Sequence, residues 1–380
     1  MTHVEQIRRA AHAGRATLFV AFMLLPLLGN LLGLAPAFRL EEKRAMMPVP
    51  PLRFNAVSIG QYPRRFEQYF NDNLGFRHVL TFCHNYALLF WFGMSPSDQV
   101  LIGKEGWLFW GEADERAVYE RLSRYSEADL DVLRRSLRLI RSWLDDRHVR
   151  FLVVLSPDKS TIYPEYMPAS ITRGDGPSYG DQLVAVCGEA GVTVVDTRET
   201  LRRAKRDWQV YYRDDTHWNT VGAYVAAAEI TARLREWFPN VPPMQEGGVT
   251  LGPEQHRAGD LAVFLGLDRV LRERCRELQW PGTQGTGGIV PAAAERSPRY
   301  TYRTGDATSP RALMFMDSFG VPLAPLLARD FQALQTVWSH CFNPGDVIKD
   351  RPDVVILEIV ERKLVDGPNF CGPLKGLVRP

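Results

Sequence analysis

The chain has 380 residues, with 46 Lys+Arg against 44 Asp+Glu for a formal charge of +2, and is 45% hydrophobic and 24% charged. That balance is the one of a globular protein; it excludes disorder over most of the length and gives no electrostatic footprint for binding a nucleic-acid backbone. At roughly 150 residues per domain the length allows about two to three units, or one large α/β domain with an appendage.

From Ala16 to Phe38 the run ATLFVAFMLLPLLGNLLGLAPAF carries no charged side chain, and its 23 residues meet the ~20 that cross the hydrocarbon as a helix. Arg8, Arg9 and Arg15 precede it and are expected to stay on the cytoplasmic side, which sends everything after residue 40 across the membrane. Ala35-Pro36-Ala37 has the small-residue pattern of a signal-peptidase site, so removal of the segment is the competing expectation. The expected organisation is a cytoplasmic stretch (1–15), a membrane anchor or signal (16–38), a linker (39–60) and one exported domain (61–380). The linker holds Met47-Pro48-Val49-Pro50-Pro51, which cannot sustain a regular helix. The expected location is the inner membrane, single-pass, with the working domain in the periplasm. Export would permit disulfides among Cys83, Cys187, Cys275, Cys341 and Cys371, and the odd count leaves at least one unpaired. The lack of a C-x-x-C pair removes zinc-ribbon and thioredoxin-like readings.

Along the domain, residues 62–92 mix aromatic and basic positions at helical spacing around a break at Asn73-Leu74-Gly75, which predicts two helices with an aromatic stripe in the core. Two apolar runs around Gly103-Lys104-Glu105-Gly106 predict a hairpin over 100–110. Residues 126–148 predict an amphipathic helix opened by Ser126 and Asp129, burying Leu130, Leu133, Leu137, Ile140 and Leu144. Continuous apolar runs at 150–155, 192–196, 312–316 and 354–357 have the pattern of strands covered on both faces, and 208–212 is a further candidate. Helices are expected at 178–190 and 220–237, and a long surface excursion with one edge strand at 280–310. Strands alternating with helices predict an α/β fold, a mainly parallel sheet flanked by helices.

No Walker loop, dinucleotide fingerprint or H-E-x-x-H is present, so no cofactor and no resident metal is expected. The cluster Gly282, Gly285, Gly287 and Gly288 is entered by no strand and reads as loop. Two segments carry chemistry. One is Tyr211 to Asn219 (YYRDDTHWN), polar residues between an apolar run and a helix, where open α/β sheets place working groups. The other is Met316-Asp317-Ser318-Phe319-Gly320, a bend after a buried strand that would hold a hydroxyl out at the sheet edge with a backbone N–H facing an oxyanion. Each alone also fits a plain cap or surface residue. Together they supply a nucleophile, a base and an orienting carboxylate. A metal held by Asp214, Asp215 and His217 is the competing reading, without a second ligand cluster elsewhere.

With Phe70-Asn71-Asp72-Asn73-Leu74-Gly75-Phe76-Arg77, Gly103 to Phe109 (GKEGWLF), Asp215-Thr216-His217-Trp218, Asp317-Ser318-Phe319 and Ile359-Val360-Glu361-Arg362 in that order, the chain resembles the alginate O-acetyltransferases AlgJ and AlgX. The resemblance implies an SGNH-hydrolase-like fold and an exported enzyme that acetylates an exopolysaccharide through a serine acyl-enzyme, without a cofactor. It assigns Asp215 as orienting acid, His217 as general base and Ser318 as nucleophile. It also implies two partners, the exopolysaccharide acceptor and a membrane-bound O-acyltransferase that delivers acetyl across the bilayer. Met316 stands where the family's Gly-Asp-Ser motif has glycine. Lys159, Tyr212 and Arg362 are expected, from their places near strand ends, to bind substrate; a surface ion pair or core-edge hydrogen bond is the alternative for each. A polysaccharide deacetylase or esterase of the same fold, and a non-catalytic polysaccharide-binding assembly factor, are the alternatives.

Overall fold

A computed structural model of the chain describes residues 3–31, 46–52, 56–122, 124–244, 249–279, 299–303 and 307–368. The chain divides into two compact units, Met1–Ser97 with Ala262–Val270, and Asp98–Leu261 with Leu271–Pro380.

The first unit holds α1 (His3–Leu31), α2 (Ala56–Asp72) and α3 (Arg77–Phe92). The break predicted near Gly75 is present: Phe76 adopts the left-handed conformation at φ 60° and separates α2 from α3. Gly93, at φ 65°, ends α3 by donating its N–H to Leu88 O and Leu89 O, the usual reason for a glycine there. The aromatic stripe is not core. No residue of α3 is buried, and Phe66, Phe70, Phe90, Trp91 and Phe92 are exposed. The expected anchor is not shown by the described residues. Among the described residues no helix is long and apolar enough to cross a membrane. The described charge-free part of α1, residues 16–31, spans about 24 Å at ~1.5 Å per residue, against ~30 Å of hydrocarbon, and 32–38 lie outside the described residues.

In the second unit, β1 (Val100–Ile102) and β2 (Leu108–Trp110) form the predicted antiparallel hairpin. There follow α4 (Ala113–Glu120), α5 (Glu127–Asp145), β3 (Arg150–Ser156), the single turn α6 (Lys159–Ile162), α7 (Tyr179–Ala190), β4 (Thr193–Asp196), α8 (Arg198–Ala204) and α9 (Thr220–Arg235). The chain continues through β5 (Thr250–Arg257), α10 (Asp260–Phe264), β6 (Glu273–Gln279), β7 (Arg299–Arg303), β8 (Arg311–Met316), α11 (Gly320–Leu327), β9 (Ala333–Trp338), α12 (Pro344–Asp350) and β10 (Val354–Val360). Ser126 and Asp129 close a reciprocal capping box on α5, satisfying backbone donors that the first turn otherwise leaves open.

Six strands form one sheet in the order β4-β3-β10-β8-β9-β7. All neighbours are parallel except β7, which runs antiparallel to β9 at the edge. Alternation along the strands splits the core in two. Leu152, Val154, Met314, Met316 and Ile356 pack with α9 and α11 on one face, while Phe151, Val153, Leu155, Phe315, Val355 and Leu357 pack with α5 and α7 on the other. Each such side chain contributes roughly 1.5–3 kcal/mol through burial. The pairing of Ser156 with Val360 brings the carboxyl ends of β3 and β10 to one edge, and β8 ends in register alongside, Phe315 opposite Leu357. The turns after β3, β8 and β10 carry Lys159, Ser318 and Arg362, while Asp215 and His217 come from the separate segment between α8 and α9.

Residues 208–212 do not form a strand in the sheet. Val210 and Tyr211 are buried, but the backbone pairs with its own loop, through a bridge between Tyr211 and Trp218 and the bond from Asn219 N to Val210 O, 3.0 Å. Within 280–310 the described edge strand is β7, and the glycine cluster lies outside the described residues. Cys83, Cys187, Cys275 and Cys341 are free thiols, and Cys371 lies outside the described residues.

Candidate active site

The bridge between Tyr211 and Trp218 closes the segment from 211 to 219 into a tight loop, and Asn219 ends it by capping α9, its side-chain oxygen accepting from Gly222 N at 3.0 Å. Within this loop Asp215 Oδ1 accepts both from His217 N at 3.0 Å and from the ring nitrogen His217 Nδ1 at 2.7 Å. Asp215 is buried, and two further donors reach its other oxygen: Arg257 Nη2 at 3.0 Å and Asp260 N at 3.2 Å. Burial alone would raise the Asp215 pKa, but the His217 hydrogen bond and charge and the Arg257 cation outweigh it and hold the carboxyl far below its usual range. Burial likewise works against a charged His217, and Asp215 and then Asp260 reverse it, so the imidazole is raised above its ordinary value. The ring is fixed through Nδ1, and Nε2 is buried with no hydrogen-bond partner among the described residues. That is the orientation of a base whose second nitrogen is held ready for a proton.

The serine turn lies at the end of β8. Asp317 is buried and uses both carboxylate oxygens on backbone, accepting from Phe319 N at 2.8 Å and from Val360 N at 2.9 Å. Its own N–H donates to Glu358 Oε2 at 3.0 Å, and Ser156 Oγ donates to Glu358 Oε1 at 2.6 Å. Burial, reinforced by the Asp317 charge, pushes Glu358 well above the carboxylate range. This framework fixes Ser318, which is half-buried, at the mouth of the turn. The Phe319 and Gly320 amides are committed to Asp317, leaving the Ser318 N–H without an acceptor among the described residues. The Phe319 ring sits 5.0 Å from the His217 ring and 5.0 Å from that of Trp218. The serine turn and the Asp–His loop therefore meet through Phe319. No hydrogen bond joins Ser318 to His217 among the described residues.

Met316, in the glycine place of the motif, is the last residue of β8 and is not among the residues with positive φ. The backbone there does not require glycine. The small residue the turn needs is Gly320, where an added Cβ would stand 2.5 Å from Met316 Cβ.

The expected substrate contacts have other partners. Lys159 is buried, and its Nζ donates to Tyr212 O at 3.1 Å, Arg213 O at 3.0 Å and Asp215 O at 2.6 Å, so it braces the Asp–His loop from below rather than facing substrate. Burial lowers its pKa to about 8. Tyr212 is buried and donates to Glu277 Oε1 at 2.6 Å, beneath the Arg257 guanidinium, which lies 3.8 Å from its ring centre. Arg362 pairs with Asp158, with Glu115 at 3.8 Å, and its guanidinium lies 5.2 Å from the centre of the Phe319 ring, beside Ser318. Of the three, it alone touches the serine turn.

Arg257, Asp260 and Glu358 were not marked by the sequence. Their signal is three-dimensional, because β5, the start of α10 and β10 deliver them from separate parts of the chain. Asp260 accepts from Thr216 N at 2.8 Å and Thr216 Oγ1 at 2.7 Å, and its Oδ2 lies 3.6 Å from His217 Nδ1. Asp215, His217 and Asp260 place one potential ligand atom each within 4.8 Å of one another. Their facing atoms are already joined to protein donors and to each other, so the cluster reads as an acid–base unit rather than a metal centre.

The mainly parallel sheet flanked by helices is an α/β fold, and residues 100–284, just under half of the chain, match the family described as "SGNH hydrolase-like domain, acetyltransferase AlgX". The matched span contains Asp215, His217, Arg257 and Asp260 and ends before Ser318. The chain is 29% identical over 223 residues to the probable alginate O-acetylase AlgJ of Pseudomonas aeruginosa, covering 58% of this chain and 55% of that one. It is 30% identical over 197 residues to the AlgJ of Pseudomonas syringae pv. tomato, covering 50% and 48%. The chain thus spans about half the length of the curated relatives it matches. Among solved structures it is similar to Bacillus cereus PatB1, with a TM-score of 0.50 and 14% identity over 73% of this chain and 99% of that one, a likeness of fold alone. These comparisons agree with the resemblance to the alginate O-acetyltransferases, and the motifs at residues 103–109 and 215–218 lie inside the matched span.

Proposed function

We propose that the chain is an O-acetyltransferase acting on an exported exopolysaccharide, with Ser318 as nucleophile, His217 as base and Asp215 as orienting acid. The observation that carries this reading is the Asp215–His217 bond of 2.7 Å, which leaves Nε2 unpartnered beside Phe319, the neighbour of Ser318. His217 takes the Ser318 proton as the hydroxyl attacks an acetyl ester, and the donor alcohol leaves with that proton. The acetyl-enzyme then passes its acyl group to a sugar hydroxyl deprotonated by the same imidazole. The Ser318 N–H faces the oxyanion of both tetrahedral intermediates. Contacts between catalytic groups are commonly looser without substrate and tighten when it binds.

The donor is a membrane-bound O-acyltransferase, and residues 16–38 hold the chain at the inner membrane with the site in the periplasm. This supports transfer near the bilayer, where acetyl emerges. Water at ~55 M competes for the acyl-enzyme, so transfer needs an acceptor held in attacking position. The test is incubation of the purified chain with a chromogenic acetyl ester, with and without oligosaccharide. Acetylated sugar is expected, whereas acetate alone would indicate an esterase. Ser318→Ala and His217→Ala should each lower acetyl release by at least ~10³-fold, and Asp215→Asn by about 10²–10⁴-fold. Unchanged acetyl release in all three would leave only a non-catalytic assembly role.

A further inference from the structure

The hairpin of β5 and β6 is bound to the Asp–His loop at several points. Arg213 N donates to Glu273 Oε2 at 2.7 Å, Tyr212 Oη donates to Glu277 Oε1 at 2.6 Å, and Gln209 bonds Glu273 as well. Thr220, at the start of α9, donates to Glu277 Oε2 at 2.7 Å and accepts from Leu278 N at 2.7 Å. From this frame Arg257 extends over Tyr212, 3.8 Å from the ring centre, and donates to the outer oxygen of Asp215 at 3.0 Å. Three residues on, Asp260 holds Thr216 by backbone and side chain and places a second carboxylate 3.6 Å from His217 Nδ1. One basic and one acidic group thus act on the same pair from outside it.

The geometry points to Arg257 and Asp260 as opposed positioning residues: Arg257 draws the Asp215 charge away from His217, Asp260 adds charge beside the same ring, and the balance sets how readily the imidazole gives up its proton. The inference rests on the proposed role of His217 as base. The other groups facing the ring are Arg362, whose charge opposes protonation, the Thr216 hydroxyl and the apolar Phe319 ring; Lys159 acts at one remove, on the Asp215 carbonyl. The Arg257–Asp215 contact is half of a two-sided hold on the carboxylate. Its other oxygen is bound to His217, so neither oxygen can turn away without losing a charged partner.

A base must be neutral to act, so activity rises with pH through the His217 titration. Removing the Arg257 cation leaves more of the Asp215 charge on the imidazole, so Arg257→Gln should move the acidic limb of kcat/KM to higher pH. Removing the Asp260 anion, in Asp260→Asn, should move it to lower pH. Each shift should be about one pH unit, the size expected for a charge at this range in a partly buried site. Arg257→Lys, which keeps the cation, should return the limb toward wild type. A merely structural role would lower the rate in both variants without moving the limb.

The experiment measures acetyl release from a chromogenic ester by the full chain against pH, with ¹⁵N-histidine NMR titration of His217 in the same variants. Opposed shifts by both readouts support the inference. Shifts of the same sign, or none, in variants that retain the native circular dichroism overturn it. The two readings fail separately: wild-type acetyl release by Ser318→Ala would end the triad proposal, while the NMR titration needs no activity and still decides the roles of Arg257 and Asp260. If Arg257→Gln does not fold, Arg257→Lys and Asp260→Asn carry the test. An unshifted Asp260→Asn titration then overturns the inference.

Discussion

Met316 fills the space that Gly320 leaves open at the serine turn. A Cβ at 320 would stand 2.5 Å from Met316 Cβ and 2.7 Å from its Sδ, closer than carbon atoms approach in packed interiors, so one of the two residues must be small. Where the family's motif has the small residue before the aspartate, this chain has it after the serine. Gly320→Ala should therefore cost about 1–3 kcal/mol of stability through overpacking. Met316→Gly alone should cost ~2–5 kcal/mol, because it empties a buried position at the end of β8 and adds backbone freedom. Made together, the two changes should cost less than their sum, since the methyl group added at position 320 enters the space that the methionine vacates. Urea denaturation of the three variants gives the coupling, and strict additivity would show that the two residues do not share this space.

Among the elements, the pair α9 and α11 packs on the face of the sheet that also carries the site, and a buried acid lies between them. Asp330, in the short 3₁₀ turn after α11, accepts from Thr231 of α9, and burial pushes its carboxyl up to about 7. The sign of the linkage follows from which state binds the proton. Between the ordinary carboxylate value of 3.8 and about 7, the folded chain holds a proton on Asp330 that the unfolded chain has released. This group therefore contributes stability at pH 4 that is lost as pH rises to 7, opposite to the paired Asp215, whose contribution is lost on acidification. Asp330→Asn, neutral at every pH, should be more stable than the wild type by about 2–4 kcal/mol at pH 8 and nearly equal to it at pH 4. Denaturation at the two pH values measures the difference, and a constant offset between them would show that Asp330 does not titrate in this window. The same elements show why the sequence exposes some strands and hides others. β3, β8 and the first four residues of β10 are covered on both faces and read as apolar runs, so their place in a parallel sheet could be inferred from composition. β9 alternates buried Leu334 and Thr336 with half-buried neighbours, a period-two signal that a search for continuous runs passes over. β5 and β6 are mostly exposed and carry Glu, Gln, His and Arg, so no hydrophobic pattern marks them.

For the molecule as a whole, the site was readable as far as its chemistry depends on local order. Asp215 and His217 lie two residues apart and can pair within one loop, and Ser318 follows a strong strand. Arg257 and Asp260 reach that pair only because β5 folds back onto the loop, and nothing in their own segment marks the contact. The place of Lys159 near a strand end suggests a substrate contact, but three carbonyls from one loop turn it inward. The N-terminal segment poses the opposite problem, since its composition is informative and residues 32–38 lie outside the described residues. Leu18, Phe19, Val20, Phe22, Leu24, Leu25 and Leu28 are exposed on α1, a density of apolar side chains that water does not favour. Residues 16–31 alone fall short of the hydrocarbon thickness. In the sequence the charge-free run extends seven residues further, to Phe38, and its 23 residues meet the ~20 that the proposed anchoring requires. On the proposed anchoring, Arg8, Arg9 and Arg15 set the direction of insertion. Alkaline phosphatase, active only across the membrane, should be active when fused after residue 60, and the fusion should stay with the membranes through an alkaline carbonate wash. Replacing Arg8, Arg9 and Arg15 with glutamate should lower the phosphatase activity without lowering the amount of protein made. Release of the chain by the wash would show that residues 16–38 are removed or lie outside the bilayer, and an inactive fusion would place the Ser318 turn on the side where no exported polysaccharide passes.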